Sequence, residues 1–196
     1  MKYDYYSNEE EDFINRYESF DGLQGIGLFR ELVQRPEEHL LNRLKNEPHN
    51  QPADPTVFIS HRQSDKSKAL RAKAWAESRG FSVWLDILDP GLRSIQHLDN
   101  KKRGILTACI IEMALIHCTH VLAIYTLKSQ GSGWIPYEYG RVSSHPERWS
   151  RAACYVKPSS LTIPEYMGLG VVAFTQQKVE DWLDGERAKF RAGAIN

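Results

Sequence analysis

The sequence predicts an α/β fold in which a five-stranded parallel sheet is flanked by helices, with a helical N-terminal extension before it. From Thr56 onwards, short apolar runs alternate with helical patterns, which is typical of a parallel sheet covered on both faces. Before that point, residues 46–55 are rich in proline and polar side chains, which indicates a linker. We therefore expect the extension and linker to cover residues 1–55 and the domain to cover residues 56–196.

The N-terminal extension has the pattern of short helices. Ser7 and Glu10 have the spacing of a capping box, in which two side chains satisfy free backbone N–H groups at a helix start. Phe13, Tyr17 and Phe20 then recur at helical spacing. Two short stripes that contain leucine follow before the linker, so we expect further helical turns there.

The domain is expected to alternate between strands and helices. The expected strands cover residues 57–60, 81–85, 120–126, 152–156 and 171–174. The expected helices cover residues 66–79, 101–118 and 179–191, with one more that begins near Trp134 or Pro136, because a first turn accommodates proline. In the helix at 66–79, we expect Leu70, Ala74 and Trp75 to face the sheet.

Charge and cysteine content narrow the class of protein. Lys+Arg and Asp+Glu balance at 25 each, so no global field favours nucleic acid or an acidic membrane as a partner. Cys109, Cys118 and Cys154 show no paired spacing, which indicates free thiols in a reducing cytoplasm and no metal site. The apolar stretch 105–125 carries Glu112 near its middle, and the N-terminus has no apolar signal core. We therefore expect a cytoplasmic protein without membrane or nucleic-acid partners.

Three loops are expected to meet at one edge of the sheet. Ligands of open α/β sheets bind beyond the carboxyl ends of the strands, near a topological switch point. The loops 60–65, 86–100 and 127–134 each follow a predicted strand at that edge. They contain most of the polar and aromatic side chains that are site candidates: Ser60, His61, Arg62, Asp86, Ser132 and Trp134.

Three short segments carry motifs in a consistent order. They are VFISHRQSDK at 57–66, RGFSVWLD at 79–86 and, after a buried strand, a Ser-x-Trp-x-x-x-Glu spacing that ends at Glu138. Together they resemble the TIR domain family, in particular its bacterial members, over about residues 56–191. The segment 86–103 departs from that family, which usually has a shorter loop there, and residues 1–55 have no counterpart in the family motif.

The resemblance implies a flavodoxin-like fold and an enzymatic activity. Bacterial TIR domains with the glutamate often cleave NAD+ to nicotinamide plus ADP-ribose or a cyclic isomer, frequently in antiphage defence or immune signalling. NAD+ is then the substrate rather than a cofactor. No Gly-rich phosphate fingerprint follows the first strand, which argues against a dehydrogenase that reuses the dinucleotide. The resemblance also implies self-association through the domain, since TIR enzymes commonly become active only when assembled. The alternatives are a non-catalytic interaction module that acts by self-association, and a sensor that binds a nucleotide without cleaving it.

Glu138 is the catalytic candidate that the resemblance implies. Nicotinamide leaves as a neutral group, so the difficulty of the reaction is the positive charge that develops on the ribose. A nearby carboxylate can stabilise that charge. We expect Glu138 in the first turn of a helix, where the helix dipole favours its ionised form. Its spacing alone also fits an ordinary glutamate near the start of a helix, and the flanking motifs favour the catalytic interpretation.

The resemblance also implies that the end of the first strand lines the nucleotide pocket. Phe58, Ser60, His61 and Arg62 are the candidates there, and Arg62 is positioned in sequence to pair with the pyrophosphate. The structural alternatives are that Phe58 belongs to the hydrophobic core and that Arg62 is a solvated charge in the loop.

Four more binding candidates come from the second and third motifs. Asp86 ends the second strand at the ligand edge, while Trp84 just before it is interpreted mainly as a packing residue. Trp134 can stack on the nicotinamide or wall the pocket, or it can anchor its helix in the core. Ser132 can contact the ribose, although capping the helix is the simpler role for it.

Overall fold

The computed structural model describes residues 55–89, 92–93, 96, 100–143 and 146–192. The helical extension and linker expected before Thr56 fall almost entirely outside the described residues, so the division of the chain at that point stays a prediction. Among the described residues, no helix combines the length and the apolar character needed to cross a membrane.

The described chain forms a parallel five-stranded sheet in the order β2-β1-β3-β4-β5. The strands are β1 Thr56–Ser60, β2 Ser82–Trp84, β3 His120–Thr126, β4 Ala152–Lys157 and β5 Val171–Ala173. This order is that of the flavodoxin-like fold, so the predicted fold class is confirmed. The strand order reverses between β1 and β3, which is the switch point where such folds bind ligands.

Within the described ranges, four α-helices cover the two faces of the sheet. They are α1 Lys66–Glu77, α2 Asn100–His117, α3 Trp134–Val142 and α4 Gln176–Arg191. Short 3₁₀ turns lie at Gln63–Asp65, Asp86–Leu88, Leu127–Ser129, Pro146–Arg151 and Glu165–Leu169.

The two faces of the sheet have separate cores because side chains alternate along each strand. Val57 and Ile59 of β1 belong to the core beneath α1 and α4, whereas Phe58 belongs to the core beneath α2 and α3. Ser60, two residues beyond Phe58, therefore points to the α3 side of the sheet.

The inner face of α1 differs from the predicted one. Leu70 is 38% exposed and Ala74 is also exposed, so the prediction that both face the sheet was wrong, while Trp75 is partly buried. Three fully buried alanines face the sheet instead: Ala69, Ala72 and Ala76. Small side chains allow the helix backbone to approach the strands closely, which a face built on leucine would not permit.

Tyr139 of α3 packs against β4 and the residues just before β5. Tyr139 is fully buried, and its hydroxyl donates a hydrogen bond of 3.0 Å to the Met167 carbonyl oxygen. Gly170 lies directly against this tyrosine, since a Cβ atom at Gly170 would collide with the Tyr139 hydroxyl and with the Ala152 carbonyl oxygen. The close approach fixes the position of the helix that carries Glu138.

At the start of β3, a buried histidine contacts a glutamate of α4. His120 is fully buried, and its Nε2 atom lies 3.3 Å from the Glu186 carboxylate. Glu186 also accepts a hydrogen bond of 2.6 Å from Lys189.

Cys118 and Cys154 are free thiols, as predicted, and burial raises the pKa of Cys154 to about 12.

Candidate active site

The candidate site lies at the carboxyl ends of β1, β2 and β3, where the sequence predicted it. Phe58 of β1 is in register with Trp84 of β2. Ser60 and Asp86, each two residues further along, therefore lie side by side on the same face of the sheet. Glu138 reaches the same place from α3, because its carboxylate Oε2 atom accepts a hydrogen bond from the Ser60 hydroxyl.

Glu138 is a buried carboxyl group in the second turn of α3. The helix begins at Trp134 and has no acidic residue in its first turn, so the first-turn prediction was wrong. The helix dipole falls off within the first turn, and it therefore does little for Glu138. Glu138 is 6% exposed, and burial raises its pKa to about 7, an effect that the Ser60 hydrogen bond opposes and the charge of Asp86 increases.

The two oxygens of Glu138 have different surroundings. Oε2 is held by Ser60, which is itself only 1% exposed. Within the described part of the chain, Oε1 has no hydrogen-bond partner, and it is not among the fully buried polar atoms. The described residues thus hold one oxygen of Glu138 and leave the other without a hydrogen bond.

His61 and Asp86 form a second group of titratable side chains beside Glu138. The His61 Nε2 atom lies 3.5 Å from Asp86 Oδ1, and the two side chains are 1% and 36% exposed. Burial raises the pKa of Asp86, whereas the His61 charge and a hydrogen bond from the Ile87 N–H lower it. The two carboxyl groups and the imidazole are thus at the same edge of the sheet.

Phe58 and Trp84 lie two residues before Ser60 and Asp86 along β1 and β2. Their rings stack with centroids 4.6 Å apart and an angle of 20° between the planes. Phe58 is 1% exposed, so its side chain is part of the core. The indole N–H of the half-buried Trp84 donates a hydrogen bond of 3.2 Å to Asp89. Contact of either ring with a nucleotide stays a prediction.

The remaining candidates lie at the start of α3 and in the loop after β1. Trp134 is 41% exposed and meets Tyr137 edge to face at 6.0 Å, so it does not anchor α3 in the core. The buried Ser132 hydroxyl accepts a hydrogen bond of 3.4 Å from the Ile135 N–H in the first turn of α3, which is a capping contact. Arg62 is exposed in the loop after β1, where a pyrophosphate contact stays a prediction.

A buried polar cluster that sequence reasoning missed joins two of the loops. Asp65, 1% exposed, accepts hydrogen bonds of 2.7 Å from the Thr126 hydroxyl and 2.6 Å from the Lys68 ammonium group. Burial alone would raise the pKa of Asp65, but these two partners hold that pKa below its usual value. Thr126 also accepts a hydrogen bond from the Lys128 N–H. The cluster fixes the loop after β1 against the loop after β3, on either side of the site.

Comparison with known proteins identifies a distant relative. No protein-family model matches the chain. The chain is similar to the probable 3' cyclic ADP-D-ribose synthase ThsB' of Bacillus cereus (strain MSX-D12), with 29% identity over 131 residues. The aligned region covers 67% of this chain and 63% of that protein, so the chain spans less than two thirds of the relative's length.

Proposed function

We propose that this protein cleaves the nicotinamide–ribose bond of NAD+ and releases nicotinamide together with ADP-ribose or a cyclic isomer. The observation that carries the proposal is the buried Glu138 carboxylate, which Ser60 holds at the switch point of a flavodoxin-like sheet. The similarity to a protein named as a cyclic ADP-ribose synthase supports it, because loss of nicotinamide from NAD+ yields the ADP-ribosyl unit that such a synthase closes into a ring.

Glu138 would act on the charge that develops at the ribose. As the bond to nicotinamide breaks, positive charge accumulates on the anomeric carbon. The Oε1 atom of an ionised Glu138 would stabilise that charge, while the Ser60 hydrogen bond keeps Oε2 in place. Because the carboxylate is shielded from water, its interaction with the cation is stronger than in solution.

The raised pKa of Glu138 fits a cationic substrate. With a pKa of about 7, the free carboxyl group is only partly ionised near neutral pH. The pyridinium ring of NAD+ carries a positive charge, and a cation close to a carboxyl group favours its ionised form. Substrate binding would therefore complete the ionisation of Glu138.

The remaining candidates would hold the dinucleotide around this carboxylate. Trp134, exposed at the start of α3, would present a ring face to the nicotinamide. Arg62 would pair with the pyrophosphate from the loop after β1. By its resemblance to bacterial TIR domains, we place the reaction in antiphage defence or immune signalling.

Nicotinamide release tests the proposal directly. Purified protein at high concentration is incubated with NAD+, and the products are followed by chromatography. We expect release by the wild-type chain and by Glu165→Gln, a control at an exposed glutamate, and at least a roughly 10²-fold loss in Glu138→Gln. The second product distinguishes hydrolysis from cyclisation.

Two outcomes would contradict the proposal. Release at the wild-type rate by Glu138→Gln would remove this residue from the reaction. No release from the wild-type chain, even with a crowding agent that promotes assembly, would favour a non-catalytic module that acts by self-association. Light scattering over a range of concentrations would then show whether the chain assembles.

A further inference from the structure

Asp86 has one oxygen held by the protein and one left free. Its Oδ1 atom accepts a hydrogen bond of 2.6 Å from the Ile87 N–H and lies 3.5 Å from His61 Nε2. No residue in the described part of the chain donates a hydrogen bond to Oδ2. With its side chain 36% exposed, Asp86 is the more accessible of the two carboxyl groups at this edge.

His61 stands behind this carboxylate as a buried ring without hydrogen bonds. Its side chain is 1% exposed, and neither ring nitrogen has a hydrogen-bond partner among the described residues. Buried polar groups in folded proteins are nearly always satisfied, so an exception calls for an explanation. Nε2 lies 3.5 Å from Oδ1 of the Asp86 carboxylate, and a small movement would bring the two atoms within hydrogen-bond distance.

Asp86 lies on the same face of the sheet as Ser60, the residue that holds Glu138. Phe58 stacks on Trp84, so the side chains two residues further along each strand point to the same face. Those side chains are Ser60, which is bonded to Glu138, and Asp86. Leu85, between Trp84 and Asp86, belongs to the core on the opposite face.

The proposed reaction releases one proton at its end. Until the ribosyl cation is captured, Glu138 must stay ionised because its charge stabilises that cation. When water or a hydroxyl group of the substrate captures the cation, an oxygen lone pair forms the new carbon–oxygen bond. The O–H bond then breaks, its electrons stay on the oxygen, and one proton leaves. A second carboxylate beside Glu138 would accept that proton as the new bond forms, while Glu138 keeps its charge.

We infer that Asp86 accepts this proton at Oδ2, as a second catalytic residue of the proposed NAD+ cleavage, and that His61 is its positioning residue. The inference rests on the proposed function. His61 would hold Oδ1 from behind by donating a hydrogen bond from Nε2, and a donor to the ionised form favours the carboxylate that the step requires. The proton passes from Asp86 to solvent, to which its side chain is open.

A change of nucleophile separates the two carboxyl groups experimentally. A free pyridine base, such as acetylpyridine, captures the ribosyl cation through its ring nitrogen and releases no proton. Exchange of nicotinamide for this base therefore needs Glu138 but not Asp86. Hydrolysis or cyclisation needs both. Purified full-length chain is incubated with NAD+, with and without acetylpyridine, and all products are measured by chromatography.

We expect Asp86→Asn to lower the ratio of hydrolysis and cyclisation to base exchange by about 10²-fold. His61→Gln is expected to change the ratio of the two reactions in the same direction by a smaller factor, which a purely structural role would not do. Glu138→Gln is expected to lose both reactions. Asp181→Asn, at an exposed position on α4, serves as the matched control and is expected to change neither.

Thermal unfolding of each variant is measured alongside its reaction rates. If Asp86→Asn does not fold, the product ratio of His61→Gln tests the inference. Parallel loss of both reactions in a folded Asp86→Asn, or no loss of either, would overturn the inference. An unchanged product ratio in folded His61→Gln would overturn the role of His61. A wild-type chain that neither releases nor exchanges nicotinamide overturns the proposed function, and this inference with it.

Discussion

The Ser60 hydroxyl donates a hydrogen bond to the Glu138 carboxylate, across 78 positions of the sequence. Both residues are almost fully buried, at 1% and 6% exposure. The bond joins the end of β1 to the second turn of α3. It also opposes the effect of burial, because a donor to the ionised form lowers the pKa of a carboxyl group.

Ser60→Ala is expected to make Glu138 harder to ionise. Loss of this donor moves the pKa of Glu138 above its present value of about 7. The midpoint of the pH–rate profile for NAD+ cleavage would then rise by about 1 pH unit, and the rate at neutral pH would fall. Ser159→Ala, at an exposed serine, is the control. An unchanged midpoint in Ser60→Ala would show that the hydroxyl does not tune the carboxylate.

The wild-type rate of NAD+ cleavage is expected to rise with pH through about 7, the raised pKa of Glu138. The ionised carboxylate is the form that stabilises a cation, and protonation at lower pH removes it. The measurement is kcat/KM from mildly acidic to mildly alkaline pH. A profile that falls as pH rises would assign the active form to the protonated acid instead.

Glu138→Gln is expected to stabilise the fold at alkaline pH. The pKa of Glu138 is about 7 in the fold and 4.5 as an ordinary value, so the folded chain favours the protonated form. Its contribution to stability is therefore complete below about 4.5 and is lost as pH rises through about 7. Glutamine removes the buried charge, which is worth up to about 3 kcal/mol.

The free energy of unfolding in denaturant, measured for both chains at acidic and alkaline pH, checks this sign. The advantage of the glutamine variant should appear only at the higher pH. A difference between the two chains that does not vary with pH would mean that Glu138 ionises as easily in the fold as in water.

Thr126→Val is expected to destabilise the fold by about 1–3 kcal/mol, because it leaves the buried Asp65 carboxylate without one of its donors. Valine has nearly the shape of threonine, so the loss is that of the hydroxyl. Thr162→Val at an exposed position is the control. Equal denaturant midpoints for the two variants would show that Lys68 alone satisfies Asp65.

Gly170→Ala is expected to lower the melting temperature, since the new methyl group would meet the Tyr139 hydroxyl and the Ala152 carbonyl oxygen. Overpacking of this kind costs about 1–3 kcal/mol. Gly168→Ala, two residues away, has no atom within 4 Å of the new Cβ and is the matched control. If both variants melt together, β5 can move away from α3 without cost.

The sheet was predictable because its strands are short apolar runs separated by helical segments. The fully buried β3 was predicted with its observed bounds, since seven consecutive buried positions leave a continuous signal. The inner face of α1 was not predictable in the same way. Leu70 is more hydrophobic than its neighbours, which predicts that it faces the sheet. The helix lies so close to the sheet that the buried positions are occupied by alanine instead.

The candidate site was predictable as a location but not as a set of contacts. Strand ends and parallel topology bring Ser60 and Asp86 to one edge without further information. The partners of Asp65 and Glu138 lie 61 and 78 residues away in sequence, and no local pattern specifies them. The burial that raises the pKa of Glu138 likewise depends on packing around α3, which spacing does not reveal.

The distance in sequence between Ser60 and Glu138 has a consequence during synthesis. A nascent chain that has produced β1, β2 and β3 already contains Ser60 and Asp86, yet it lacks the helix that carries the carboxylate. Glu138 reaches Ser60 only once α3 has docked on β1 and β3. The proposed activity would therefore require α3 to be synthesised and docked, so a chain that ends before α3 would leave the NAD+ of the cell intact.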